Sequence, residues 1–494
     1  MKPPAGICFC LANQTLAENV SLAAKVRKHV DLLELRVDAL LPEEAGRAGE
    51  LVRRVDLPVI LSVRRRKEGG AFPGPEEERL RLLERLAPQG FAFVDLEHDL
   101  EAHELDRRIR EAGAGVIRSL HDPAGVPSDL AERMRTLARS ATEFPRATVT
   151  PRGGADLLRL LEALEALARL PKALFGAGDC GFPTRILGGK LGSRFCTVED
   201  PETADLLYRC RKIGAATRVY GVIGNPVMHS LSPVIHNRGF AALDLDAVYL
   251  PFLVDDLEPF FRAAEKLDIR GLSVTVPHKV DVMSWLAKRN DPVSAIGACN
   301  TIHRLDAGGW AGWNTDGAGF LAPLLAAFGG KLPRGLGATV IGAGGAARAV
   351  VHALAGNGAR VLVLNRTLDR AHALAEGLRA AGVSLHVGPL DEAGVKLMDG
   401  FNDLIVQTTR VGMAPHADSD PLPGYSFSGR ETAYDLVYVP EMTQFLKRAG
   451  AAGCRTIVGS RMLLAQAFEQ FRIFTGIPYP QEAAQGIFSP AAED

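Results

Sequence analysis

Short apolar runs alternate with amphipathic stretches along the chain from Ile7 to about Arg211. Stretches such as Glu76–Leu86 and Ala155–Ala168 are typical of amphipathic helices, and the runs between them are typical of buried strands. Strand–helix units repeated in this way predict a parallel α/β fold, here a (β/α)8 barrel. Strands are predicted at Ile7–Cys10, Leu32–Leu35, Val59–Val63, Phe91–Asp95, Gly115–Ser119, Ala147–Thr150 and Ala173–Gly176.

The alternation resumes after a boundary at Lys212–Thr217, where polar and small residues separate a helix from the next strand. It continues to a final helix at about Ser460–Thr475, and the Pro-, Ala- and acid-rich tail from Pro478 is predicted to be disordered. The whole chain is therefore predicted to be α/β. Further elements are predicted at Arg218–Ile223, Ala247–Leu250, Leu257–Lys266, Ala338–Ile341, Ala346–Ala355, Arg360–Leu364, Asp403–Gln407 and Ala433–Val437.

The 494 residues suffice for about three domains. Hydrophobic residues make up 47% and the net charge is −1, so no basic field favours nucleic acid. The seven cysteines form no C-x-x-C pair, which predicts neither a disulfide framework nor a metal site and favours a reducing compartment. No apolar run is long enough for a signal peptide or a membrane span. We expect a cytoplasmic protein without nucleic-acid or membrane partners.

Polar residues follow several of the predicted barrel strands. In a (β/α)8 barrel, the carboxyl-terminal ends of the strands carry the chemistry. Each such residue alone is more often structural than functional, but six at one rim indicate a site. The six are Glu34, Arg36, Arg64, Glu97, His121 and Arg185.

The stretch Leu272–Lys279 gives the second region its candidate proton donor. A strand ends at Pro277, which cannot donate to a ladder, and Lys279 follows it. A partly desolvated lysine that faces a carboxylate is a good proton donor, although a lysine after a turn is as often simply solvated. Asn300 and Asp316 are either a turn former and a helix cap, or partners of Lys279 in one cleft.

A turn rich in Gly, Asn and Pro precedes a predicted helix that starts near Pro233. Ser230 and Ser232 would present hydroxyls beside the helix N-terminus, where free backbone N–H groups and the dipole favour a carboxylate. The alternative is simple N-capping by Ser232. This turn is therefore a candidate binding site for a substrate carboxylate.

The segment Gly342–Ala347 has the G-x-G-x-x-A pattern between a strand and a helix, which is typical of a dinucleotide-binding turn. An NAD site would place Asp or Glu about 20 residues later, but Asn365 and Arg366 stand there. Arg366 can stack on adenine and pair with a 2′-phosphate, and Thr367 and Arg370 can add donors. The pattern predicts NADP rather than NAD; for Arg366 alone, the alternative is a surface arginine.

The first region resembles the type I 3-dehydroquinate dehydratases. The resemblance implies a lysine that forms a Schiff base with the substrate ketone, His121 as the group that moves the proton, and Glu97 as the carboxylate that supports it. Arg36, Arg64 and Arg185 match substrate-binding positions. The matching segments are Leu33–Asp38, Ser62–Arg64 with Glu68–Gly70, Asp95–Glu97 and Ser119–Asp122.

Two features depart from the dehydratase pattern. Arg146 stands at the lysine position of Lys-x-Ala-x-x-Pro, and a guanidinium keeps its proton and is not a usable amine nucleophile. Thr197–Thr203 replaces the Ser-x-x-Gly-Gln loop that closes over substrate in this family. Lys172 is the lysine near this position in sequence. It precedes its strand, however, and should point to the rim opposite the carboxyl-terminal ends of the strands. We therefore expect an impaired dehydratase.

The second region, from about Val219 to Gly476, resembles shikimate dehydrogenase through nine ordered motifs. The resemblance implies a two-lobed enzyme with a Rossmann NADP-binding domain, in which Lys279 supplies a proton and Asp316 orients it. It implies that Ser230 and Ser232 hold the substrate carboxylate. The implied ligands of the ring hydroxyls are Thr275, Asn300, Tyr438 and Gln466. The implied cofactor positions are Gly342, Ala343, Gly344, Gly345, Ala346, Asn365, Arg366, Thr367 and Arg370, with Asp291, Leu436, Gly459 and Met462 beside them.

Together the halves resemble the bifunctional enzymes in which a dehydratase makes 3-dehydroshikimate and a dehydrogenase reduces it. We expect NADPH-dependent reduction of 3-dehydroshikimate to shikimate, on the route to the aromatic amino acids, beside an impaired barrel that would take 3-dehydroquinate. The alternatives are a fully bifunctional enzyme and a barrel that acts as a non-catalytic metabolite-binding or regulatory module. Oligomeric state and the acceptance of quinate stay open. The predicted domains are 1–213, 218–334 with the helix 460–476, and 335–459.

Overall fold

The computed structural model describes residues 5–137, 143–379 and 382–488. By its internal contacts the chain forms two compact units, one with the residues up to 219 and 246–269, the other with residues 220–245 and those from 270 onward. No helix in these described ranges is long and apolar enough to cross a membrane. The predicted domain boundaries at residues 213, 218, 334 and 459 stay a prediction, because compact units defined by contacts are not the same as functional domains.

The first unit contains a sheet of eight strands in which β1 pairs in parallel with both β2 and β8. An isolated parallel bridge between Lys172 and Ser193 links the chain just before β7 to the chain just before β8. The predicted (β/α)8 barrel is confirmed, and its eighth strand follows the seven found by pattern. The strands are β1 Gly6–Leu11, β2 Leu32–Arg36, β3 Val59–Ser62, β4 Phe93–Glu97, β5 Gly115–Asp122, β6 Glu143–Val149, β7 Ala173–Gly176 and β8 Phe195–Val198.

The helices between these strands begin and end close to the predicted positions. The helix Glu76–Leu86 forms as predicted, with three glutamates in its first turn, where the helix dipole favours negative charge. The predicted helix Ala155–Ala168 forms at Gly154–Ala166. The helices are α1 Leu16–Val26, α2 Pro42–Ala45, α3 Gly49–Val52, α4 Glu76–Leu86, α5 His103–Glu111, α6 Leu130–Leu137, α7 Gly154–Ala166, α8 Gly178–Ile186 and α9 Gly188–Leu191.

Strand register decides which side chains share the barrel interior. Ser119 is paired with Arg146, and His121 with Thr148, across β5 and β6. Because side chains alternate along a strand, Arg146 and His121 project to the same side of the sheet, with Arg146 nearer the base. Arg146 and His121 therefore lie at different depths in the same barrel mouth.

The middle of the chain supplies a mixed sheet to the second unit, with strands in the order β9-β11-β13-β14-β12. Strand β13 runs antiparallel to both β11 and β14. Of the elements here, β10 and α11 belong to the first unit, where α11 packs on α7. The elements are β9 Arg218–Gly224, α10 Ser232–Ala242, β10 Ala247–Leu253, α11 Leu257–Lys266, β11 Ile269–Val274, β12 Leu286–Arg289, α12 Asp291–Ile296, β13 Thr301–Arg304, β14 Trp310–Trp313 and α13 Asp316–Ala327.

A six-stranded parallel sheet follows, with strands in the order β17-β16-β15-β18-β19-β20. Val361 and Val363 face one hydrophobic core, while Leu362 and Leu364 face another on the opposite side of the sheet. Burial of both faces explains why the strand reads as a continuous apolar run. The elements are β15 Gly337–Ile341, α14 Gly345–Gly356, β16 Arg360–Asn365, α15 Leu368–Arg379, β17 His386–Pro389, α16 Glu392–Leu397, β18 Leu404–Gln407, β19 Thr432–Asp435, α17 Gln444–Ala451, β20 Arg455–Ile457 and α18 Gly459–Thr475.

The chain after α18 is ordered further than predicted. Tyr479 is 6% exposed, its ring stacks on Phe468, and its hydroxyl donates a 2.9 Å hydrogen bond to the carbonyl of Ile235. The prediction that the chain is disordered from Pro478 is therefore wrong for the residues up to 488. Burial of the Tyr479 ring offsets the conformational entropy lost when this polar segment is ordered. Residues 489–494 lie outside the described ranges.

Candidate functional site

Lys279 and Asp316 meet in the second unit. The chain turns after β11, and the backbone carbonyl of Lys279 accepts a 2.8 Å hydrogen bond from the N–H of Cys299, which fixes the turn. Asp316 is the first residue of α13. The Lys279 Nζ donates a hydrogen bond to Asp316 Oδ2, and the two side chains are only 13% and 6% exposed. This lysine is therefore held by a carboxylate rather than solvated.

Asn300 is the hub that orients the carboxylate of Asp316. Its Nδ2 lies 2.8 Å from Asp316 Oδ1, 2.9 Å from Thr315 Oγ1 and 3.2 Å from Gln466 Oε1. Its Oδ1 accepts a 2.8 Å hydrogen bond from the N–H of Thr315. All four residues are buried, so the amide fixes the position of the carboxylate. The predicted cleft partners Lys279, Asp316, Asn300 and Gln466 are thus brought together.

The glycine-rich turn lies directly against Lys279. Gly342 has φ +110°, a conformation that favours glycine, and α14 begins at Gly345. A Cβ at Gly345 would lie 3.1 Å from Cβ and Cδ of Lys279. The absence of a side chain at Gly345 therefore lets the N-terminus of α14 approach the lysine, which places an anion-binding helix end beside a proton donor.

Residues after β16 form an exposed group of hydrogen-bond donors. Asn365 ends the strand, and its Nδ2 donates a 2.7 Å hydrogen bond to the carbonyl of Thr367. Arg366 and Arg370 are exposed, and neither forms an ion pair within the described ranges. Two unpaired guanidiniums and a hydroxyl suit a phosphate monoester, so these residues fit the 2′-phosphate of NADP.

The other four residues implied to lie beside the cofactor are found in two parts of the second unit. Leu436, Gly459 and Met462 lie together, and Asp291 lies apart from them. Met462 is buried in a core of the second unit, and Leu436 packs against the same core. A Cβ at Gly459 would lie 2.7 Å from the carbonyl oxygen of Leu436, so only glycine permits α18 to start so close to that loop. Asp291 stands elsewhere, as the first residue of α12.

The two serines lie at the start of α10 as a local pair. Ser230 Oγ accepts a 3.2 Å hydrogen bond from the N–H of Ser232. The helix begins at Ser232 itself, with Leu231 as its N-cap residue. Simple N-capping by Ser232 is therefore wrong. Thr275 donates its N–H to the carbonyl of Ile223 at 2.9 Å, and the described contacts join neither serine nor Tyr438 to Lys279.

In the barrel, Glu34 lies between two guanidiniums. Its Oε1 is 2.8 Å from Arg64 Nη2, and its Oε2 is 2.7 Å from Arg146 Nη2. Burial alone would raise the pKa of Glu34, but Arg146 and Arg64 lower it to about 2. Asp95 lies 3.4 Å from Arg146 Nη1, and its burial raises its pKa to about 6. The four side chains form a buried cluster, named here the Glu34 cluster.

Arg146 is fixed inside this cluster. Its side chain is 3% exposed, and its Nη2 also lies 3.3 Å from Thr197 Oγ1. Burial opposes its charge, but Glu34 and Asp95 raise its pKa. Lys172 donates a 2.9 Å hydrogen bond to the carbonyl of Leu167 just before β7 starts, which agrees with its predicted place at the opposite rim. Arg146 therefore stays charged, and Lys172 lies too far toward the base to replace a lysine at this position.

Arg36 and Arg185 also have carboxylate partners. Arg36 binds Asp38 through two hydrogen bonds, of 2.8 Å from Nε and 2.6 Å from Nη2. Arg185 Nη1 lies 2.8 Å from Glu199 Oε1. All three arginines implied to bind substrate, Arg64 included, thus contact carboxylates of the chain itself.

Three family models match the chain in succession. Residues 7–205 match type I 3-dehydroquinase, residues 222–302 match the shikimate dehydrogenase substrate binding domain, and residues 332–410 match shikimate / quinate 5-dehydrogenase. A chloroplastic bifunctional 3-dehydroquinate dehydratase/shikimate dehydrogenase of Arabidopsis thaliana is 32% identical over 99% of this chain and 85% of its own length. The chain belongs to this bifunctional family. The predicted resemblance is confirmed.

Single-function relatives match the second half alone. An NADP(+) shikimate dehydrogenase of Moorella thermoacetica is 44% identical over 54% of this chain and 92% of its own length. A solved structure of shikimate dehydrogenase in complex with NADP+ is 34% identical and covers 56% of this chain and 96% of its own, with a TM-score of 0.51. The dehydrogenase fold of the bifunctional family is therefore present in residues that follow the barrel.

The carboxylate beside His121 is Glu68, not Glu97 as the dehydratase resemblance implied. Glu68 Oε2 lies 3.3 Å from His121 Nδ1. Glu97 is instead paired with Arg79, whose Nη1 donates a 3.0 Å hydrogen bond to Oε1 and whose Nη2 lies 2.9 Å from Oε2. The physical reason is that helix α4 carries Arg79 to the end of β4, where its buried guanidinium is the partner of Glu97.

A glycine pair is the signal that could have identified Glu68. Gly69 has φ +78°, and a Cβ at Gly70 would lie 2.0 Å from the carbonyl oxygen of Arg64. The turn after β3 must therefore be tight, and it folds Glu68 back over the barrel mouth. Burial, followed by the charge of Glu97, raises the pKa of Glu68 to about 7, and burial holds the pKa of His121 well below its usual range. A neutral imidazole beside a carboxyl group can accept a proton.

Pattern reasoning also missed Asn314 and Thr315 in the dehydrogenase half. Asn314 Oδ1 accepts a 3.1 Å hydrogen bond from the N–H of Asp316, and Thr315 contacts Asn300 through backbone and hydroxyl. Both belong to the motif Asn314–Gly317, whose position before a helix was visible in sequence. Their hydrogen bonds hold the start of α13, where Asp316 lies.

Glu68, His98 and Asp99 bring possible metal-ligand atoms within 4.8 Å of one another. The oxygens of Asp99 lie 2.7 Å from Arg65 and 2.6 Å from Lys67. A divalent cation would have to displace both of these positive groups, so we assign no metal site to this cluster.

Proposed function

We propose that the second half of the chain reduces 3-dehydroshikimate to shikimate with NADPH, a step of the shikimate pathway. The observation that carries this proposal is the position of Lys279, which is hydrogen-bonded to Asp316 and lies against Gly345 of the dinucleotide turn. A proton donor and a dinucleotide site in contact are what carbonyl reduction requires. The relatives named as NADP(+) shikimate dehydrogenases support the choice of substrate.

NADPH, when bound, supplies the hydride that reaches the ring ketone. Lys279 Nζ then gives a proton to the ketone oxygen as negative charge develops there. Asp316 holds the ammonium in place, and Asn300 fixes the carboxylate of Asp316.

The other polar residues of the second half would hold substrate and cofactor. Ser230 and Ser232 would bind the substrate carboxylate at the N-terminus of α10. Thr275, Asn300, Tyr438 and Gln466 would contact the ring hydroxyls. Arg366, with Thr367 and Arg370, would bind the 2′-phosphate, since Arg366 and Arg370 are exposed and have no ion pair within the described residues. The cofactor turn comprises Gly342, Ala343, Gly344, Gly345 and Ala346.

For the barrel we propose that no Schiff base forms and that dehydratase activity is impaired. Arg146 is permanently charged and is bound to Glu34 and Asp95, so it offers no free amine. The charges of the Glu34 cluster are mutually neutralised, which favours a structural over a nucleophilic role. A barrel that binds a metabolite without converting it is the second candidate, supported by the neutral His121 beside Glu68 at its mouth.

Two assays on the purified full-length chain test these proposals separately. The first follows the oxidation of NADPH in the presence of 3-dehydroshikimate, and we expect turnover that depends on both. The second follows formation of the conjugated product from 3-dehydroquinate, and we expect a rate far below the first. No NADPH oxidation would contradict the dehydrogenase, and comparable rates in both assays would show a fully bifunctional enzyme.

A further inference from the structure

Tyr479 follows the end of α18 and is only 6% exposed. Its ring stacks on the ring of Phe468, with centres 4.4 Å apart and planes 13° apart, and it meets Phe471 edge to face at 5.1 Å. Both phenylalanines belong to α18. One side of the tyrosine is therefore anchored on that helix.

The other side of Tyr479 lies on the backbone of α10. Its hydroxyl donates a 2.9 Å hydrogen bond to the carbonyl of Ile235, and a Cβ at Gly239 would lie only 2.6 Å from Tyr479 Cε2. Because Ile235 and Gly239 are four positions apart, they lie on one face of the helix. Arg238 Nη1 adds a 3.1 Å hydrogen bond to the carbonyl of Gln485 in the same tail. The tail therefore contacts the backbone of α10 and not merely its side chains.

The helices α10 and α18 carry two different parts of the proposed substrate site. Ser232 is the first residue of α10 and lies within one helical turn of Ile235. Gln466 lies on α18, and its Oε1 is 3.2 Å from Asn300 Nδ2. Because the hydrogen bonds within a helix make it move nearly as a unit, a contact at Ile235 constrains the position of Ser232. Tyr479 thus joins the helix that would bind the carboxylate to the helix that would contact the ring.

We propose that Tyr479 is a positioning residue for the substrate, which sets the distance between the N-terminus of α10 and Gln466 on α18. This role rests on the proposed function, in which both helices contact one ring carboxylate. Lys279 and Asp316 lie on other elements, the turn after β11 and the start of α13. Loss of the tyrosine should therefore weaken substrate binding and leave proton transfer to the ketone intact.

Steady-state oxidation of NADPH by the full-length chain separates these two effects. Tyr479→Ala removes the ring and the hydroxyl, so α10 can shift toward α18. We expect KM for 3-dehydroshikimate to rise by about tenfold or more, with kcat within about twofold of wild type and KM for NADPH unchanged. Tyr479→Phe keeps the stacked ring and loses only the hydrogen bond to Ile235, so KM should rise by about twofold to fivefold.

Tyr425 supplies a matched control. It is 8% exposed, and its hydroxyl donates a 2.9 Å hydrogen bond to Glu431, just before β19. Tyr425→Phe also removes a buried hydroxyl, and it should lower the melting temperature without changing KM for 3-dehydroshikimate. Calorimetric titration with shikimate gives a second measurement that does not depend on turnover, and its dissociation constant should rise in the Tyr479 variants by the same factors as KM.

Two results would overturn the proposal. The first is a lower melting temperature with unchanged KM and unchanged shikimate affinity in the Tyr479 variants, which would make Tyr479 a core residue only. The second is a fall in kcat at unchanged KM. If Tyr479→Ala does not fold, Tyr479→Phe decides between these outcomes, because it keeps the packing of the ring. Absence of turnover by the wild type would contradict the proposed function instead, and the shikimate titration would still test the role of Tyr479.

Discussion

Arg146 Nη2 lies 2.7 Å from Glu34 Oε2, at the position where the dehydratase pattern places its nucleophilic lysine. The guanidinium thus fills the space of an amine and neutralises the carboxylate beside it. In the second half, Lys279, the lysine that we propose as the proton donor, is present and is bound to Asp316. The barrel therefore has no amine at its nucleophile position, whereas the second half has a lysine that can donate a proton.

Replacement of Lys279 by Ala should lower kcat for 3-dehydroshikimate reduction by about 100-fold to 10,000-fold, because the ketone oxygen loses its proton donor. Steady-state oxidation of NADPH measures it, and KM for NADPH should change little. Lys288→Ala, which alters an exposed lysine on β12, is the matched control and should behave like the wild type. Full turnover by Lys279→Ala with unchanged substrate binding would show that another group donates the proton.

Thr315→Val should reduce kcat several-fold and lower the free energy of unfolding by about 1–3 kcal/mol. The valine keeps the shape but removes the hydroxyl that lies 2.9 Å from Asn300 Nδ2, so the amide loses part of its orientation. Urea denaturation and steady-state kinetics measure the two effects. Thr315→Ser retains the hydroxyl and should keep kcat close to wild type; a serine variant as slow as the valine variant would argue against the hydrogen bond.

Arg366→Ala should raise KM for NADPH by about tenfold to 100-fold while KM for NADH changes little, because only NADPH carries the 2′-phosphate. The ratio of kcat/KM for the two cofactors is the measurement. Arg379→Ala, at the far end of α15 and exposed, is the control. A parallel loss with both cofactors would mean that Arg366 contacts a part common to both.

Arg146→Lys should create an amine that forms a Schiff base. Treatment with borohydride in the presence of 3-dehydroquinate should give a covalent adduct on this variant and none on the wild type, detected by intact-protein mass spectrometry. Arg146→Met lacks an amine and serves as the control. An adduct on the wild-type chain would show that a lysine at another position forms the Schiff base. It would overturn the proposal that the dehydratase is impaired.

Asp435 should make the stability of the second half depend on pH. Burial raises its pKa to about 7, against an ordinary value near 4. The folded chain therefore binds more protons than the unfolded chain between these values, and this group's contribution to stability falls as pH rises from about 4 to 7, by about 1.4 kcal/mol for each pH unit.

The variant Asp435→Asn lacks this titration and can keep the contacts with Thr443 and the N–H of Val437. Its free energy of unfolding relative to wild type should therefore rise across the same pH window, as measured by urea denaturation at several pH values. Asp418→Asn, a substitution at an exposed position, is the matched control. A constant difference for Asp435→Asn would mean that Asp435 titrates at its ordinary pKa.

The alternation of apolar and polar residues was sufficient to predict the barrel, because side-chain periodicity reports local burial directly. The same reasoning placed α4 at Glu76–Leu86 and α11 at Leu257–Lys266. The resemblance to the dehydratases placed Arg146 at the lysine position, since a residue type at a motif position is visible without coordinates. These features depend on neighbours within a few residues along the chain.

Only the tertiary structure decided which carboxylate serves His121. Glu68 and His121 are 53 positions apart, and their contact depends on a tight turn at Gly69 and Gly70 that no periodicity encodes. The capture of Glu97 by Arg79 likewise depends on how α4 lies against β4. The sequence by itself determined the two folds, the presence of Lys279 in the second half and the absence of a lysine at position 146 in the barrel. The long-range partners of each charge required coordinates, because the favourable pairing of a buried ion is selected by three-dimensional distance rather than by separation along the chain.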